Sequence, residues 1–232
     1  MTIDNPCAWR YLAGKLGSVL FALTICVSAR GALYYDVNKA IPDGSIIGLT
    51  DAHTVTGLTT PISEVRVTLN ISGGFNGDLY GYLRLNDSPL VVLVNRVGTT
   101  SGNSDGYPNL GMLVTLTSSL SDHDIHFYQD YSPGYNKSGQ VTGTWAADGR
   151  TDPLGTERGS LSSFSGLDPN GTWTLFFADR SLGGSSTLVG WSLDITAVPE
   201  PVNVALGVFV ALAGGIKLLC WRRKFQRRAS AS

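Results

Sequence analysis

The sequence predicts an all-β fold, a jelly-roll-like antiparallel β-sandwich, over residues 45–197. Short apolar runs in this region repeat with a period of two, and clusters of Gly, Ser, Thr, Asn and Asp separate them. No long stretch of the region keeps a helical period. Short strands at this spacing are typical of two packed sheets with Greek-key or jelly-roll connections. Helices are expected only near the chain ends, one in a signal segment and one across a membrane.

The strand pattern is clearest in Ser63–Ile71, where apolar residues fall on one face and polar residues on the other. This alternation is typical of a half-buried antiparallel strand. Six further strands are predicted, namely Leu79–Leu85, Leu90–Val94, Leu110–Leu116, Ile125–Tyr128, Thr172–Ala178 and Leu188–Thr196. Residues 30–44 are predicted to be a lead-in to the domain, and residues 132–159 a long loop that either carries function or wraps the surface.

Aromatic residues take two different places in this pattern. Trp173 and Trp191 alternate with polar residues in the last two predicted strands, so they are expected to fill the core between the sheets. Tyr80 and Tyr82 lie on the face of their strand opposite to its leucines. The segment from Tyr128 to Tyr135 is expected either to contact sugar or protein, or only to pack its loop down.

The first 29 residues have the features of a secretory signal peptide. Arg10 and Lys15 supply a positive start, and Leu16–Val27 is an apolar run. Small residues then predict cleavage after Ala29, with a second candidate cut after Gly31. The alternative is an uncleaved anchor, although the apolar run is short for a span of about 20 residues.

Charge is segregated along the chain. Between residues 30 and 197 there are 16 Asp and Glu against 9 Lys and Arg, which gives this body a net charge of −7. An acidic body repels phosphate backbones, so nucleic-acid binding is not expected. The six basic residues beyond position 197 lie within and after an apolar run, where they act as a membrane-topology signal.

The tail has three parts in a fixed order. Val198, Pro199, Glu200 and Pro201 form a short motif, an apolar stretch over 202–221 is long enough to span a bilayer, and a basic end over 222–228 begins with Arg222, Arg223 and Lys224. Residues 229–232 complete the tail. The basic end predicts a cytoplasmic C-terminus and therefore a body outside the membrane.

This tail resembles the PEP-CTERM sorting signal of Gram-negative bacteria that export polysaccharide. In that family an exosortase recognises the Pro-Glu-Pro motif and processes the protein near it. The resemblance implies an exosortase partner, an inner-membrane intermediate with the body in the periplasm, and a final place at the outer surface or in the extracellular matrix. The alternative is an ordinary membrane anchor in which Pro-Glu-Pro occurs by chance.

The body resembles the P domain, or homo B domain, of proprotein convertases. Its opening is similar through Ile41-Pro42-Asp43, Ile62–Ile71, Gly77-Asp78-Leu79 and Tyr82-Leu83. Its end is similar through Leu161-Ser162-Ser163-Phe164, Gly166, Asn170-Gly171-Thr172-Trp173-Thr174-Leu175, Asp179, Gly183, Leu188 and Trp191-Ser192-Leu193. The part from about Asn95 to Gly159 departs from the family. In the convertases this domain supports a subtilisin-like catalytic domain, for which this chain has no counterpart.

Few residues suggest chemistry. Cys7, Cys26 and Cys220 all lie outside the body, so it offers no thiol nucleophile. His53 is alone, and His123 and His126 are predicted to lie in a solvated polar loop rather than to form a metal site. The carboxylates of Asp78 and Asp179 are expected to bond nearby backbone, with calcium ligation as the alternative. No cofactor and no catalytic motif is predicted.

Two functions remain open at this point. The first is a non-catalytic exported protein of the cell envelope or matrix, whose sandwich acts in adhesion or in contact with exopolysaccharide or surface proteins. The second, implied by the P-domain resemblance, is a module associated with a separate secreted subtilisin-like serine protease. A serine endopeptidase label would follow from the resemblance alone and not from a catalytic site.

Overall fold

A computed structural model describes residues 29–119, 121–197 and 212. The rest of the predicted signal peptide, the motif from Val198 to Pro201 and the basic residues Arg222, Arg223 and Lys224 lie outside the described residues. Within the described part, no helix combines the length and the hydropathy that a bilayer crossing requires.

The all-β prediction is confirmed for residues 29–197, apart from the undescribed position 120. The described strands are β1 (Ala29–Ile41), β2 (Ser45–Val55), β3 (Ile62–Gly73), β4 (Leu79–Leu85), β5 (Val91–Asn95), β6 (Gly111–Thr117), β7 (Gly134–Tyr135), β8 (Val141–Ala146), β9 (Gly171–Asp179) and β10 (Ser186–Ala197). Short 3₁₀ segments lie at Asn76–Asp78, Ile125–Tyr131 and Leu161–Phe164.

The strands form two sheets. The large sheet has the order β1-β10-β3-β6-β8-β7, and the small sheet has the order β2-β9-β4-β5. All described pairs are antiparallel except β6 with β8, which run parallel from the Met112–Val141 pair to the Thr117–Ala146 pair. The expectation of antiparallel pairing is therefore confirmed for every described strand pair but this one. A parallel pair needs a long connection, and the chain between these two strands supplies one through residues 118–140.

The two sheets enclose one hydrophobic core, to which β3, β4, β9 and β10 contribute alternate residues. Trp173 and Trp191 are both buried in it. Trp173 packs edge-to-face against Phe164, with the ring centroids 5.1 Å apart, and its indole N–H donates to the carbonyl of Pro169. Each tryptophan thus combines a large buried area with a satisfied polar group, which is the condition for burying indole at low cost.

Two strands lie where none was singled out, and two local predictions are wrong. The residues of the lead-in form most of β1, where Leu33 and Tyr35 pack against the core, and Ser45–Val55 is the other such strand. Ile125–Tyr128 lies in a 3₁₀ segment instead of a strand, because the side chain of Asp124 caps it by accepting from the amide of His126. The long loop at 132–159 contains β7 and β8.

A carboxylate ties the two sheets together. The indole N–H of Trp191 on β10 donates to Oδ2 of Asp51 on β2 over 2.8 Å, and Nε2 of His53 lies 2.7 Å from the same oxygen. The imidazole of His53 stacks on the ring of Tyr35 from β1, with centroids 3.7 Å apart. One oxygen therefore links strands of the large sheet to the edge of the small sheet.

We expect Asp51→Ala to destabilise the domain by about 1–3 kcal/mol, because the buried indole N–H of Trp191 loses its acceptor. Urea unfolding of the purified body, followed by tryptophan fluorescence, measures the change. Asp87→Ala is the matched control, since the side chain of Asp87 is fully exposed, and such a change should stay within about 0.5 kcal/mol. Equal stability of the two variants would contradict the assigned role of Asp51.

Candidate functional site

The described region holds a buried group of charged residues centred on His126. Nδ1 of its imidazole lies 2.8 Å from Oδ2 of Asp148, and Nε2 lies 3.0 Å from the carbonyl oxygen of Thr99. The side chains of His126 and Asp148 are both fully buried. The prediction of a solvated polar loop is therefore wrong for His126. It holds for His123, which is exposed and stacks on Tyr131 with centroids 3.8 Å apart.

The 3₁₀ segment Ile125–Tyr131 is what turns His126 inward. Asp124 caps the segment, and Ile125, His126 and Tyr128 are its buried residues. Ser132 ends it with φ of 51°, a left-handed conformation. A 3₁₀ helix has about three residues per turn, so side chains that are close in sequence can face the core together. In a strand, successive side chains point to opposite faces of the sheet.

Both nitrogens of this imidazole face acceptors, so both must carry protons for the two contacts to be hydrogen bonds. Burial alone would lower the pKa of His126. The hydrogen bond to Asp148, the charge of that carboxylate and the carbonyl of Thr99 outweigh the burial and raise the pKa above its ordinary value. The structure therefore favours an imidazolium paired with a carboxylate.

Two arginines complete the group, which we call the His126 cluster: His126, Asp148, Arg150, Asp124 and Arg158. Arg150 places Nη1 2.9 Å from Oδ1 of Asp148 and Nη2 2.7 Å from Oδ2 of Asp124. Arg158 lies 3.2 Å from the other oxygen of Asp124. Each charge in the cluster thus has at least one opposite partner, as burial of His126, Asp148 and Arg150 in a low-dielectric interior requires.

The cluster also fastens a loop to the edge of the small sheet. The backbone amide of Asn95 at the end of β5 donates to Oδ2 of Asp148, and its side-chain amide donates to the carbonyl of Arg150. The amides of Asp148 and Gly149 donate to carbonyls of β5. Since β5 is the last strand in its sheet, these bonds cover an edge that would otherwise be open to pairing with another chain.

The geometry argues against acid–base catalysis by His126. A general base must reach the proton that it abstracts, directly or through one water. Nε2 of His126 already faces the carbonyl of Thr99, and the ring is fully buried. The pair with Asp148 is therefore structural in its present arrangement.

A second group of aromatic side chains lies on the outer face of the small sheet. Tyr82 on β4 and Phe176 on β9 are direct cross-strand partners, and their rings stack with centroids 4.9 Å apart. Tyr80 meets both rings edge-on at 6.2 Å and 6.5 Å. All three side chains are half-buried. We call these three residues the sheet-face cluster.

The surroundings of the sheet-face cluster are polar and include a cation. Thr50 lies opposite Phe176 on β2, and Arg84 follows Tyr82 on the same face of β4. Burial raises the pKa of Tyr80, and the neighbouring Tyr82 raises it further, while Arg180 acts in the opposite direction. Tyr80 thus keeps its proton at neutral pH and remains a hydrogen-bond donor. Aromatic rings beside hydroxyl and guanidinium donors suit contact with sugars or with apolar protein surfaces.

The tyrosines from 128 to 135 divide between the two expected roles. Tyr128 is buried, its hydroxyl donates to Oδ1 of Asn109, and it accepts from the side-chain amide of Asn76. Burial raises its pKa strongly. A surface contact through Tyr128 is therefore excluded in this structure, while Tyr131 and Tyr135 are exposed.

The predicted structural carboxylates occupy buried positions. Asp78 and Asp179 are buried, and Oδ1 of Asp179 accepts from the amide of Ser181. Burial, then the nearby charges of Asp78 and Asp43, raise the pKa of Asp179. Within the described ranges, no group of three or more His, Cys, Asp and Glu is arranged to hold a metal ion. Calcium ligation here stays a prediction.

One residue of the predicted processing sites belongs to the described chain. Ala29, after which signal cleavage is predicted, is the first residue of β1 and pairs with Ala197, the last residue of β10. Cleavage after Ala29 would therefore keep β1 from Arg30 onward. The sorting motif begins at the next position after Ala197, at Val198.

No protein-family model and no curated protein matches the sequence. Among solved structures, the chain is similar to the Aeromonas sobria serine protease (ASP) in complex with the chaperone (ORF2), with 15% identity and a TM-score of 0.44 over 81% of this chain and 29% of that one. It is also similar to the serine protease of Aeromonas sobria, with 15% identity and a TM-score of 0.41 over 78% of this chain and 29% of that one. The chain spans less than a third of the length of either protease chain.

We expect the folded body to lose stability as the pH rises. Because the pKa of His126 is raised in the folded state, its contribution is fully present below about 6.5, the unfolded value, and is lost as the pH rises through the folded pKa. Thermal melts at a series of pH values between about 5.5 and 9 should show a melting temperature that falls as the pH rises.

His126→Asn should lower stability at acidic pH by about 3 kcal/mol, because the carboxylate of Asp148 loses a charged partner. The same variant should flatten the pH profile. His123→Asn, at an exposed position, is the control and should keep the wild-type profile. A wild-type melting temperature that rises from pH 6 to 9, or an unchanged slope in His126→Asn, would contradict the imidazolium assignment.

Proposed function

We propose that residues 30–197 form a non-catalytic binding module that is exported to the cell envelope or matrix and contacts polysaccharide. The observation that carries this proposal is the sheet-face cluster of Tyr80, Tyr82 and Phe176 on the outer face of the small sheet. No cofactor is part of the proposed contact.

The chemistry of the face suits a sugar chain. A pyranose ring has an apolar face of C–H groups that packs against an aromatic ring, and a rim of hydroxyls that need hydrogen-bond partners. Tyr80 and Tyr82 offer both a ring and a hydroxyl, and Arg84 adds a charged donor on the same strand face. A regular antiparallel strand pair also fixes the spacing of such side chains, because Tyr82 and Phe176 are held in register by backbone bonds.

The proposed route to the surface follows from the chain ends. The N-terminal segment would direct export, and the tail would hold the protein in the inner membrane until an exosortase acts near the motif from Val198 to Pro201. Proline disfavours helix at its own position and at the residue before it, so a motif with Pro at 199 and 201 suits an enzyme that binds extended peptide. The exosortase and the membrane are thus the partners of the precursor, and polysaccharide is the partner of the mature module.

A module associated with a secreted subtilisin-like protease is the second candidate. The resemblance of Leu161–Ile195 to the end of a P domain favours it. Asn170 in this segment bonds both backbone groups of Leu58, so part of the resemblance lies in residues that hold loops in place. Capture of one serine protease from the native secretome by the purified body, in place of polysaccharide, would favour this candidate.

We expect affinity electrophoresis to show retardation of the purified body in gels that contain hydroxyethylcellulose or alginate. Tyr82→Ala combined with Phe176→Ala should weaken retardation about thirtyfold, since each half-buried aromatic ring contributes about 1 kcal/mol to such a contact. Tyr34→Ala is the control, because Tyr34 is exposed on the large sheet instead. Absence of retardation in both gels, or equal weakening by Tyr34→Ala, would count against the sheet-face contact.

Processing of the tail can be tested separately in a host that carries an exosortase. With an epitope tag placed after Ser232, we expect the mature protein to lose the tag, while Pro199→Ala combined with Glu200→Ala should retain it. The same host without the exosortase gene is the control and should retain the tag on the unaltered protein. Full-length tagged protein in the mature envelope of the exosortase-positive host would overturn this part of the proposal.

A further inference from the structure

A cavity of about 320 Å³ lies against the His126 cluster, and none of the three residues of the sheet-face cluster lines it. Its wall includes Arg150 from the cluster, Phe127 from the 3₁₀ segment, and Thr99, Thr100, Ser101 and Leu154 from the two neighbouring loops. This volume corresponds to about ten water molecules and falls at the lower end for small-molecule sites. It has room for a ligand the size of one monosaccharide.

The charges within the His126 cluster do not cancel. Asp124 and Asp148 supply two negative charges, while Arg150, Arg158 and a doubly protonated His126 supply three positive charges. The protonation follows from geometry, because both ring nitrogens lie within 3.0 Å of an acceptor. The five buried or partly buried groups of the cluster therefore sum to one positive charge, while the carboxylates of Asp152 and Glu157 on the same loop are exposed and screened by solvent.

Arg150 presents that excess charge at the wall in a fixed position. Its residue exposure is only 7%, and its guanidinium is held by Asp148, by Asp124 and by the carbonyl of Gly155. The guanidinium also lies over the ring of Phe127, 5.2 Å from the centroid. A guanidinium fixed in this way has lost its rotamer freedom before a ligand arrives, which lowers the cost of binding an anion.

The wall also offers hydroxyl groups. Thr99 is 5% exposed, and its Oγ1 is buried without a hydrogen-bond partner among the described residues. Thr100 and Ser101 follow it along the same loop. A buried hydroxyl without a partner costs free energy, so a polar group from a ligand or solvent is favoured there. The exposed Asp152 nearby bonds the amide of Leu154 within its own loop.

We propose that this cavity binds a hydroxylated carboxylate of monosaccharide size, with its carboxylate toward Arg150 and its hydroxyls toward the threonine and serine side chains. The ring of Phe127 and the side chain of Leu154 provide apolar contact for the carbon skeleton. Such a ligand is the chemical class of sugar acids. The site is separate from the sheet-face cluster and does not depend on it.

Titration of the purified body with D-galacturonate, followed by amide NMR shifts and calorimetry, tests this proposal. We expect shifts centred on residues 99–101 and 150–156, with affinity about tenfold higher than for D-galactose, which lacks the charge, and than for acetate, which lacks the hydroxyls. Equal affinity for D-galacturonate and D-galactose, or the absence of shifts in these two loops, would overturn the site.

Leu154→Asp is the first test variant, because it places a negative charge at the cavity wall on a side chain that is already 58% exposed and therefore tolerates substitution. We expect it to weaken D-galacturonate binding about tenfold through repulsion of the carboxylate. Leu182→Asp is the matched control at an 83% exposed leucine outside the cavity wall. Equal weakening by the two variants would contradict the assigned location.

Thr99→Val tests the hydroxyl contact without disturbing shape. It should weaken D-galacturonate binding and leave the melting temperature unchanged or higher, since the hydroxyl is unpaired in the free protein. Unchanged binding in Thr99→Val would remove the hydroxyl contact from the proposal.

Comparison of D-galacturonate with its tetramer identifies the source of the ligand: equal affinity indicates a free or terminal sugar acid, and tighter tetramer binding indicates an acidic polysaccharide.

Discussion

A carboxylate buried between an imidazolium, a guanidinium and a backbone amide organises the middle of this chain. Asp148 accepts from His126, Arg150 and the amide of Asn95, and these three residues belong to separate parts of the sequence. Removing any one partner leaves a charge in a low-dielectric interior, which makes the arrangement cooperative. As a result the segment that follows β8, which has little regular structure, is held against β5 as part of the sandwich.

The sequence predicted the parts of the fold that depend on local periodicity. Strands β3, β4, β9 and β10 alternate clearly, and their buried residues include both predicted core tryptophans. What it could not predict depends on partners distant in sequence. The burial of His126 requires Asp148, 22 positions away, and no local pattern encodes that pairing. The sheet-face tyrosines were visible as a strand face, but their partner Phe176 came from a strand nearly a hundred residues later.

The two surfaces proposed for binding differ in how the fold builds them. The sheet-face cluster is made by cross-strand pairing on a regular sheet, so its geometry depends on backbone register. The cavity is made by loops whose positions depend on the His126 cluster, so its geometry depends on buried charge. Changes of pH or salt should therefore affect the cavity more than the sheet face, and loss of one surface need not remove the other.

Ala29 and Ala197 are cross-strand neighbours, so both ends of the sandwich leave it at the same corner, about 5 Å apart. This has a mechanical consequence. If the chain were pulled at both ends, the antiparallel bonds between β1 and β10 would open one after another from that corner, which is the weakest loading geometry for paired strands. If the N-terminal end were released before force acted on the tail, no force would act across the β1–β10 pair and β1 would stay paired. If both proposed cuts are made, their order would decide whether this outer strand bears force.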